Sequence, residues 1–229
     1  MILNDEQQMV RDTARAFAQD KLAPFAAEWD REHKFPADAL TEMASLGFLG
    51  MTIPEEWDGA GLDYVSYAAA VIEIAAGCGA VSTIMSVHNG VGCMPILTYG
   101  DDAQREKFLK PMARGEKIGC FCLTEPDAGS DAASIRTRAR RDGDHYIING
   151  VKQFITSGRM ARSRSYSRSL IPKPARTACP RSSFRRTRPA FGSFAWRKSS
   201  VSMPPTPASS PLRTCACRRR RDSARKAWA

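Results

Sequence analysis

The chain has 229 residues, of which 34 are basic and 24 acidic, so its formal net charge is +10. This length suits one domain or two small ones, and 43% hydrophobic with 25% charged residues excludes a fully disordered, collagen-like or membrane-embedded protein. No run approaches the ~20 apolar residues that span a bilayer, and no secretory signal is expected at the start. Seven cysteines without regular spacing favour reduced thiols and a cytoplasmic location.

The charge is divided unevenly along the sequence. Residues 1–158 contain 15 basic and 23 acidic side chains, a net charge of −8. Residues 159–229 contain 19 basic side chains and a single acid, Asp222, a net charge of +18. This second part also holds 13 serines and 8 prolines but few aliphatic side chains, which is too little apolar material to offset the entropy of folding. A boundary near Gly158 therefore separates two kinds of sequence.

The first 117 residues have the pattern of an antiparallel helical domain. Asn4 followed by Gln7 is a capping box that predicts a helix start, and Pro24 is expected to interrupt that helix. Further helices are predicted from Pro36 to Leu46, from Asp63 onward, over about 80–89 and over about 101–112. In the helix from Asp63, we expect the buried side to comprise Tyr64, Tyr67, Ala68, Val71, Ile72 and Ala75.

The pattern changes to short strands after residue 117. The apolar run 118–123 and the alternating run 136–141 each favour a strand, and 142–144 (Asp-Gly-Asp) is a hairpin turn. Two more strands, 145–148 and 152–156, are predicted around a second hairpin dipeptide, Asn149-Gly150.

These patterns together predict an α+β fold with three parts. An antiparallel helical domain (1–117) is followed by the start of a small antiparallel β-domain (118–158). The basic tail (159–229) is expected to have no stable structure.

One loop carries groups suited to binding. Gly129 and Ser130 can present backbone N–H groups and a hydroxyl to an anion. Thr124 can hydrogen-bond the edge of a planar polar ring. A simple Pro-Asp-Ala-Gly turn between strands is the alternative, and composition alone favours it.

Two segments in this region carry a family resemblance. The run 122–131 (CLTEPDAGSD) and the run 146–158 (YIINGVKQFITSG) resemble the flavin-binding region of the acyl-CoA dehydrogenases. The similarity covers essentially all of residues 1–158 in family order, and it is closest to the short- or branched-chain members of the isobutyryl-CoA dehydrogenase type. Upstream it runs through 27–30, 46–48, 59–62, 88–89, 99–100 and 107–108.

The resemblance implies a fold and an activity. The family has an N-terminal helical domain, a middle β-domain and a C-terminal four-helix bundle, usually in a homotetramer, with FAD between the last two. A glutamate of the bundle removes the α-proton of an acyl-CoA while the β-hydrogen leaves as hydride to the flavin, giving the trans-enoyl-CoA. Electrons then pass to an electron-transferring flavoprotein. No residue of this chain matches that glutamate, and neither a metal nor a membrane is implied.

The resemblance also assigns binding roles. Phe121, Cys122, Leu123 and Thr124 would lie at the flavin ring, and Gly129 and Ser130 at the pyrophosphate. Phe154, Ile155 and Thr156 would contact the other side of the ring system. Ser130 would also approach the CoA portion of the substrate, and Ile84 with Val87 would form the floor of the acyl pocket. Phe121 and Phe154 replace the Tyr or Trp and the Trp customary at these positions, so a ring face is kept while a polar group is lost.

Some other candidate groups have structural explanations. Cys120 and Cys122 lack a second Cys or His pair at zinc spacing. His88 on an apolar helix is expected to be structural. Glu125 and Asp131 are expected to be turn and cap groups and not a catalytic pair.

Three interpretations of the tail remain open. A shifted reading frame is favoured, because the Arg/Ser alternation from Arg162 to Ser169 permits an apolar strand-like run in a neighbouring frame. A genuine nucleic-acid-binding arm is the alternative, since its arginines would bind phosphate. A plain linker is the third. Under the first, the chain is truncated relative to the family. It would then be catalytically incompetent, would not form the homotetramer and would not retain stoichiometric FAD.

Overall fold

A computed structural model describes residues 2–142 and 145–158. Within the tail it describes the backbone of three strands, at 168–169, 193–194 and 209–218. The side chains of residues 140–147 and of the tail are outside that description.

The chain begins with a long helical run. Helix α1 (Asp5–Phe17) starts at the predicted capping box, in which the Asn4 side chain accepts from the Gln7 amide and the Gln7 side chain accepts from the Asn4 amide. The run continues through a π-helical turn (Ala18–Leu22) into α2 (Ala23–Arg31). The prediction that Pro24 interrupts the helix was wrong. Pro24 lies in the first turn of α2, directly after the wider π-turn, and the helical run continues past it.

Helices α3 (Ala37–Ser45) and α4 (Tyr64–Gly77) lie close to the predicted positions. Gly47 follows α3 with φ +77°, a left-handed conformation that favours glycine. Asp63 caps α4 by accepting from the amides of Val65 and Ser66.

The predicted buried face of α4 was wrong at four of its six positions, while Tyr67 and Val71 are half-buried and pack against the core. The buried side chains are those of Ser66, Ala69, Ala70 and Ile74, whereas Ile72 is 66% exposed. Tyr64, Ala68 and Ala75 are exposed as well. The helix is apolar on nearly all sides, so periodicity does not select a face. Its small residues let α1 and α5 approach closely, and that packing decides the orientation.

A second continuous run spans 21 residues from Gly79 to Tyr99. It consists of α5 (Gly79–Val87), a π-helical segment (His88–Cys93) and α6 (Met94–Tyr99). By length and composition this run could cross a membrane, contrary to the sequence expectation, yet half of its most apolar window is buried inside the protein. Here it serves as a core helix.

The helical part ends with a third interrupted helix. Short α7 (Asp102–Gln104) begins at a second capping box on Asp101, and a π-turn (Arg105–Leu109) leads to α8 (Lys110–Ala113). Two apolar clusters hold the helices together. The first joins α1, α3, α4 and α5 with Ile118, Cys120 and Cys122, while the second gathers around Ile53, Ile96 and Leu109.

The β-region is smaller than predicted at its start and more continuous at its end. Strand β1 contains only Cys120–Phe121, and β2 (Arg138–Asp142) pairs antiparallel with β3 (His145–Gln153). The predicted turn at Asn149-Gly150 was wrong, because β3 runs straight through it. Gly150 is needed there for space, since a Cβ atom would collide with the Thr137 side chain.

Three strands are described in the tail. Strand β4 (Arg168–Ser169) pairs parallel with β1 and antiparallel with β5 (Ser193–Phe194). Strand β6 (Ser209–Arg218) pairs antiparallel with β3, with a register irregularity between Ile148 and Gly150. The rest of the tail lies outside the described residues. For those residues, the absence of stable structure stays a prediction.

Candidate functional site

The two motif segments meet at the end of β3. The amide of Gln153 donates to the carbonyl of Thr124 at 2.9 Å, which places Leu123 and Thr124 beside the segment 154–156. Strand β3 delivers the second segment, and the chain leaving β1 delivers the first. Two runs separated by 14 residues therefore form one surface.

Phe154 is a strongly exposed aromatic side chain on this surface. It follows the last residue of β3, adopts φ +55° and has 71% of its surface exposed. A left-handed conformation is costly for a bulky side chain. The next residue, Ile155, packs against the first apolar cluster, and Gly158 donates to its carbonyl at 3.0 Å. The backbone thus turns outward at the phenylalanine and returns to the core one residue later.

The Thr-Glu-Pro-Asp-Ala loop is a closed turn. Glu125 and Ala128 exchange two backbone hydrogen bonds of 3.0 and 3.1 Å, so a turn is present, one residue earlier than the Pro-Asp-Ala-Gly turn considered from the sequence. Beyond it, a Cβ atom placed on Gly129 would meet nothing within 4 Å, and Ser130 is exposed. Asp131 accepts from the amide of Ala133 and acts as the predicted cap. The loop therefore leaves Gly129 and Ser130 open to solvent on a rigid base.

Glu125 has a second role that the sequence did not reveal. It is 6% exposed and pairs with Lys152, which is 4% exposed, at 2.9 Å. Burial alone would raise the pKa of Glu125, but hydrogen bonds from the Thr137 side chain and Lys152 and from the amides of Arg136 and Thr137 outweigh it and lower the pKa to about 2. The sequence held a partial signal, because Lys152 lies four residues after the apolar Ile148 and so falls on the same face of a strand, but nothing in it indicated Glu125 as the partner.

His88 supports the site from the helical side. Its imidazole is fully buried, Nδ1 accepts from the amide of Gly119 at 2.9 Å, and Nε2 therefore carries the proton and donates to the carbonyl of Met112 at 3.0 Å. Burial lowers the pKa of His88 to about 4, although the bond to Met112 opposes this. The structural interpretation of His88 is supported, since it fixes the backbone just before β1.

The remaining predicted residues lie at or behind the surface. Phe121, Leu123 and Thr124 are half-buried and Cys122 is buried in the first cluster, with its Sγ 3.9 Å from that of Cys120. Ile84 is 7% exposed inside the same cluster and Val87 is half-buried, so Ile84 contributes to the core and their acyl-pocket role stays a prediction. Thr156 is half-buried beside Ile155. No group of metal-ligating side chains occurs among the residues that the structure describes.

Comparisons with known proteins bear on the whole of this arrangement. The family model "Acyl-CoA dehydrogenase, N-terminal domain" matches residues 4–116, and "Acyl-CoA dehydrogenase, middle domain" matches residues 120–167. The chain belongs to the acyl-CoA dehydrogenase family. The middle-domain match extends beyond the change in composition at Gly158 and ends within the basic tail.

Individual relatives agree with the family. The mitochondrial short-chain specific acyl-CoA dehydrogenase of Rattus norvegicus is 41% identical over 185 residues, covering 75% of this chain and 45% of that protein. The chain thus spans less than half the length of the curated relatives that it matches.

Solved structures share the fold. Butyryl-CoA dehydrogenase from Megasphaera elsdenii is 32% identical with a TM-score of 0.69, over 86% of this chain and 49% of that one. A glutaryl-CoA dehydrogenase from Mycobacterium smegmatis in complex with FADH2 is 27% identical with a TM-score of 0.76, over 94% and 54%. A structure described as the electron transferring flavoprotein of Acidaminococcus fermentans is 29% identical with a TM-score of 0.77, over 95% and 57%.

Proposed function

We propose that residues 1–158 form the helical domain and the first part of the flavin-binding domain of an acyl-CoA dehydrogenase that acts on a short or branched acyl-CoA. The hydrogen bond from Gln153 to Thr124 carries this proposal, because it joins the two motif segments that the family uses for its flavin. Short-chain specific relatives at 41% identity support the substrate class.

Three observations indicate that the surface fits FAD. Phe154 offers an exposed ring face next to Thr124. The open space in front of Gly129 suits the close approach of a pyrophosphate to the backbone. The buried Oγ of Ser157 makes no hydrogen bond within the described part of the chain, so a polar group is left for a ligand.

This chain's residues would hold the cofactor and position the substrate. Leu123, Thr124, Phe154, Ile155 and Thr156 would surround the ring, while Gly129 and Ser130 would bind phosphate and the CoA portion. FAD, when bound, would supply the acceptor for the hydride. The electron partner would be an electron-transferring flavoprotein, in keeping with the Acidaminococcus structure.

We further propose that this 229-residue chain is catalytically incompetent because its tail is encoded in a shifted frame. The only carboxylate after residue 158 is that of Asp222, which stands in an arginine-rich run unlike the family's helical bundle. A site that lacks the family's helical bundle on one side of the cofactor would bind FAD weakly and lose it on purification.

The test compares the chain with a frame-corrected version of its gene. We expect the 229-residue chain to purify with less than one flavin per chain, to bind added FAD weakly and saturably, and to leave butyryl-CoA and isobutyryl-CoA unchanged. The frame-corrected protein should be yellow and should reduce an artificial electron acceptor with one of the two substrates. Turnover by the uncorrected chain, or the absence of an apolar reading frame after codon 160, would contradict the proposal.

The charge of the tail supports a second candidate function, binding of nucleic acid. A net charge of +18 over residues 159–229 would bind phosphate in a salt-dependent way. RNA binding that weakens with salt and disappears when residues 159–229 are deleted would support this function. Binding that survives the deletion would contradict it.

A further inference from the structure

Lys152 and Glu125 form a buried ion pair at the base of the motif loop. Nζ of Lys152 lies 2.9 Å from Oε1 of Glu125, and the two side chains are only 5% and 6% exposed. Buried charges cost several kcal/mol unless they are paired and fully hydrogen-bonded. A pair maintained at this depth therefore calls for a specific explanation.

Closing the turn does not require the pair. The turn from Glu125 to Ala128 is already held by two backbone hydrogen bonds. The Glu125 carboxylate faces away from it, toward the next strand, where it accepts from the amides of Arg136 at 2.6 Å and Thr137 at 2.9 Å and from the Thr137 hydroxyl. Its contacts thus tie the loop to the start of β2.

The second hydrogen bond of Lys152 is to the first motif segment, 122–131. Nζ donates to the carbonyl of Leu123 at 2.8 Å, and the amide of the following residue, Gln153, donates to the carbonyl of Thr124. Two successive residues of β3 therefore hold two successive carbonyls of the first segment. Phe154 comes directly after them, so these bonds set the distance between Leu123–Thr124 and the segment 154–156.

We propose that Lys152 is a positioning residue, which fixes the first flavin-facing segment against the second by holding the Leu123 carbonyl and the Glu125 carboxylate together. This role rests on the proposed flavin site. The lysine does not touch the ring surface; it acts through the backbone of Leu123 and Thr124.

The experiment separates positioning from simple charge neutralisation. Lys152→Met removes the ammonium group and leaves Glu125 buried without its partner, so the variant loses stability under either explanation. In Glu125→Gln/Lys152→Met the buried charge is gone, and stability should recover. The Leu123 carbonyl still lacks its donor in the double variant, so positioning should not recover.

Two readouts on the 229-residue chain decide the matter. If Lys152 positions the segment, hydrogen exchange at the Gln153 amide should be about tenfold faster in the double variant than in the unmodified chain, because one charge-assisted hydrogen bond to the neighbouring carbonyl is lost. Hydrogen exchange at the Ile74 amide in α4 should be unchanged. FAD titration should show affinity about tenfold weaker, with an altered visible circular dichroism of the bound flavin. Exchange and flavin affinity equal to those of the unmodified chain would overturn the proposal.

The outcome remains decisive if one part fails. Should the unmodified chain bind no FAD, the proposed function is wrong, and the exchange of Gln153 still decides the positioning role. Should the double variant not fold, Lys152→Met and Lys152→Gln are compared with each other, because neither neutralises Glu125 and only the glutamine amide can still donate to Leu123. Faster exchange at Gln153 in Lys152→Met than in Lys152→Gln then supports positioning, and equal exchange in the two variants opposes it.

Discussion

The amide of Gly119 donates to Nδ1 of His88, 2.9 Å away, and thereby connects the segment directly before β1 to the core helix. The same ring holds the carbonyl of Met112 through Nε2. One imidazole thus satisfies two backbone groups on either side of the junction near residue 117, which makes it a sensitive point for stability.

Replacing His88 should lower the free energy of unfolding at neutral pH and make that free energy less dependent on pH. His88→Phe leaves the Gly119 amide and the Met112 carbonyl unpaired, and we expect a loss of about 2–4 kcal/mol at neutral pH. Because burial holds the pKa of His88 near 4, below its usual 6.5, its neutral form stabilises the fold above pH 6.5, and this contribution disappears as the pH falls to 4. Urea unfolding at several pH values should therefore show the two chains converging across this window. His33→Asn, at an exposed position, should change stability by less than about 0.5 kcal/mol.

Glu125 should contribute to stability in a lower pH range. Its pKa is lowered from 4.5 to about 2, so its ionised form stabilises the fold above pH 4.5 and the contribution is lost as the pH falls to 2. The shift corresponds to about 3 kcal/mol. We expect Glu125→Gln to be destabilised at pH 7, where Lys152 loses its partner, and to approach the unmodified chain below pH 4.5 in denaturant titrations. A constant difference at all pH values would refute this assignment.

The pair Gly77 and Gly79 tests packing at the junction of α4 and α5. A Cβ atom at Gly77 would lie 2.8 Å from the carbonyl oxygen of Ala18, whereas at Gly79 it would meet nothing within 4 Å. Gly77→Ala should therefore cost about 1–3 kcal/mol through overpacking. Gly79→Ala should be neutral or stabilising by up to about 1 kcal/mol, because alanine favours a helix. Thermal unfolding of both variants measures the difference, and equal effects would show that this close approach is absent.

The corrected face of α4 can be checked with two isoleucines. Ile74→Ala should cost about 2–5 kcal/mol, since this side chain is fully buried. Ile72→Ala should cost well under 1 kcal/mol, since its side chain is 66% exposed. Chemical denaturation of the two variants gives the comparison. A larger loss at Ile72 would restore the orientation expected from the sequence.

Phe154 should contribute to FAD affinity and not to the free energy of unfolding. Phe154→Ala removes a 71% exposed ring, so its unfolding free energy should be nearly unchanged while FAD affinity falls about threefold to tenfold, as expected for a lost aromatic stacking contact. Tyr64→Ala is the matched control, because Tyr64 is 66% exposed on α4, remote in sequence from the motif. Fluorescence titration with FAD distinguishes the two. Equal affinity of both variants would remove Phe154 from the site.

Features set by local chemistry were predictable from the sequence. The capping box at Asn4 and the helix start at Asp63 both depend on neighbouring residues, and the structure has them in place. The buried face of α4 was not predictable, because an almost uniformly apolar helix takes its orientation from the surfaces packed against it.

Distant contacts explain the other differences. Asn149-Gly150 resembles a turn, but Gly150 is required by the approach of Thr137, the residue directly before β2. Likewise, Lys152 and Glu125 are 27 residues apart, and nothing local indicates that they share a buried bond. The binding motif itself could be predicted, because the family resemblance includes both of its segments, 122–131 and 146–158.

The π-helical segment His88–Cys93 has a consequence for how this protein tolerates changes in length. Its wider winding turns His88, Asn89, Gly92 and Cys93 all inward, and the Asn89 side chain binds the backbone of Phe48 and Met51 from that position. A π-helical turn holds about one residue more than an α-helical turn, so removing a single residue such as Gly90 would let the run tighten to ordinary winding with Ile96 still facing the second cluster. Removing a residue from the ordinary α-helical stretch Gly79–Val87 would instead rotate everything after it by about 100° and turn Ile96 out of that cluster. A one-residue deletion should consequently be far less damaging within residues 88–93 than within residues 79–87.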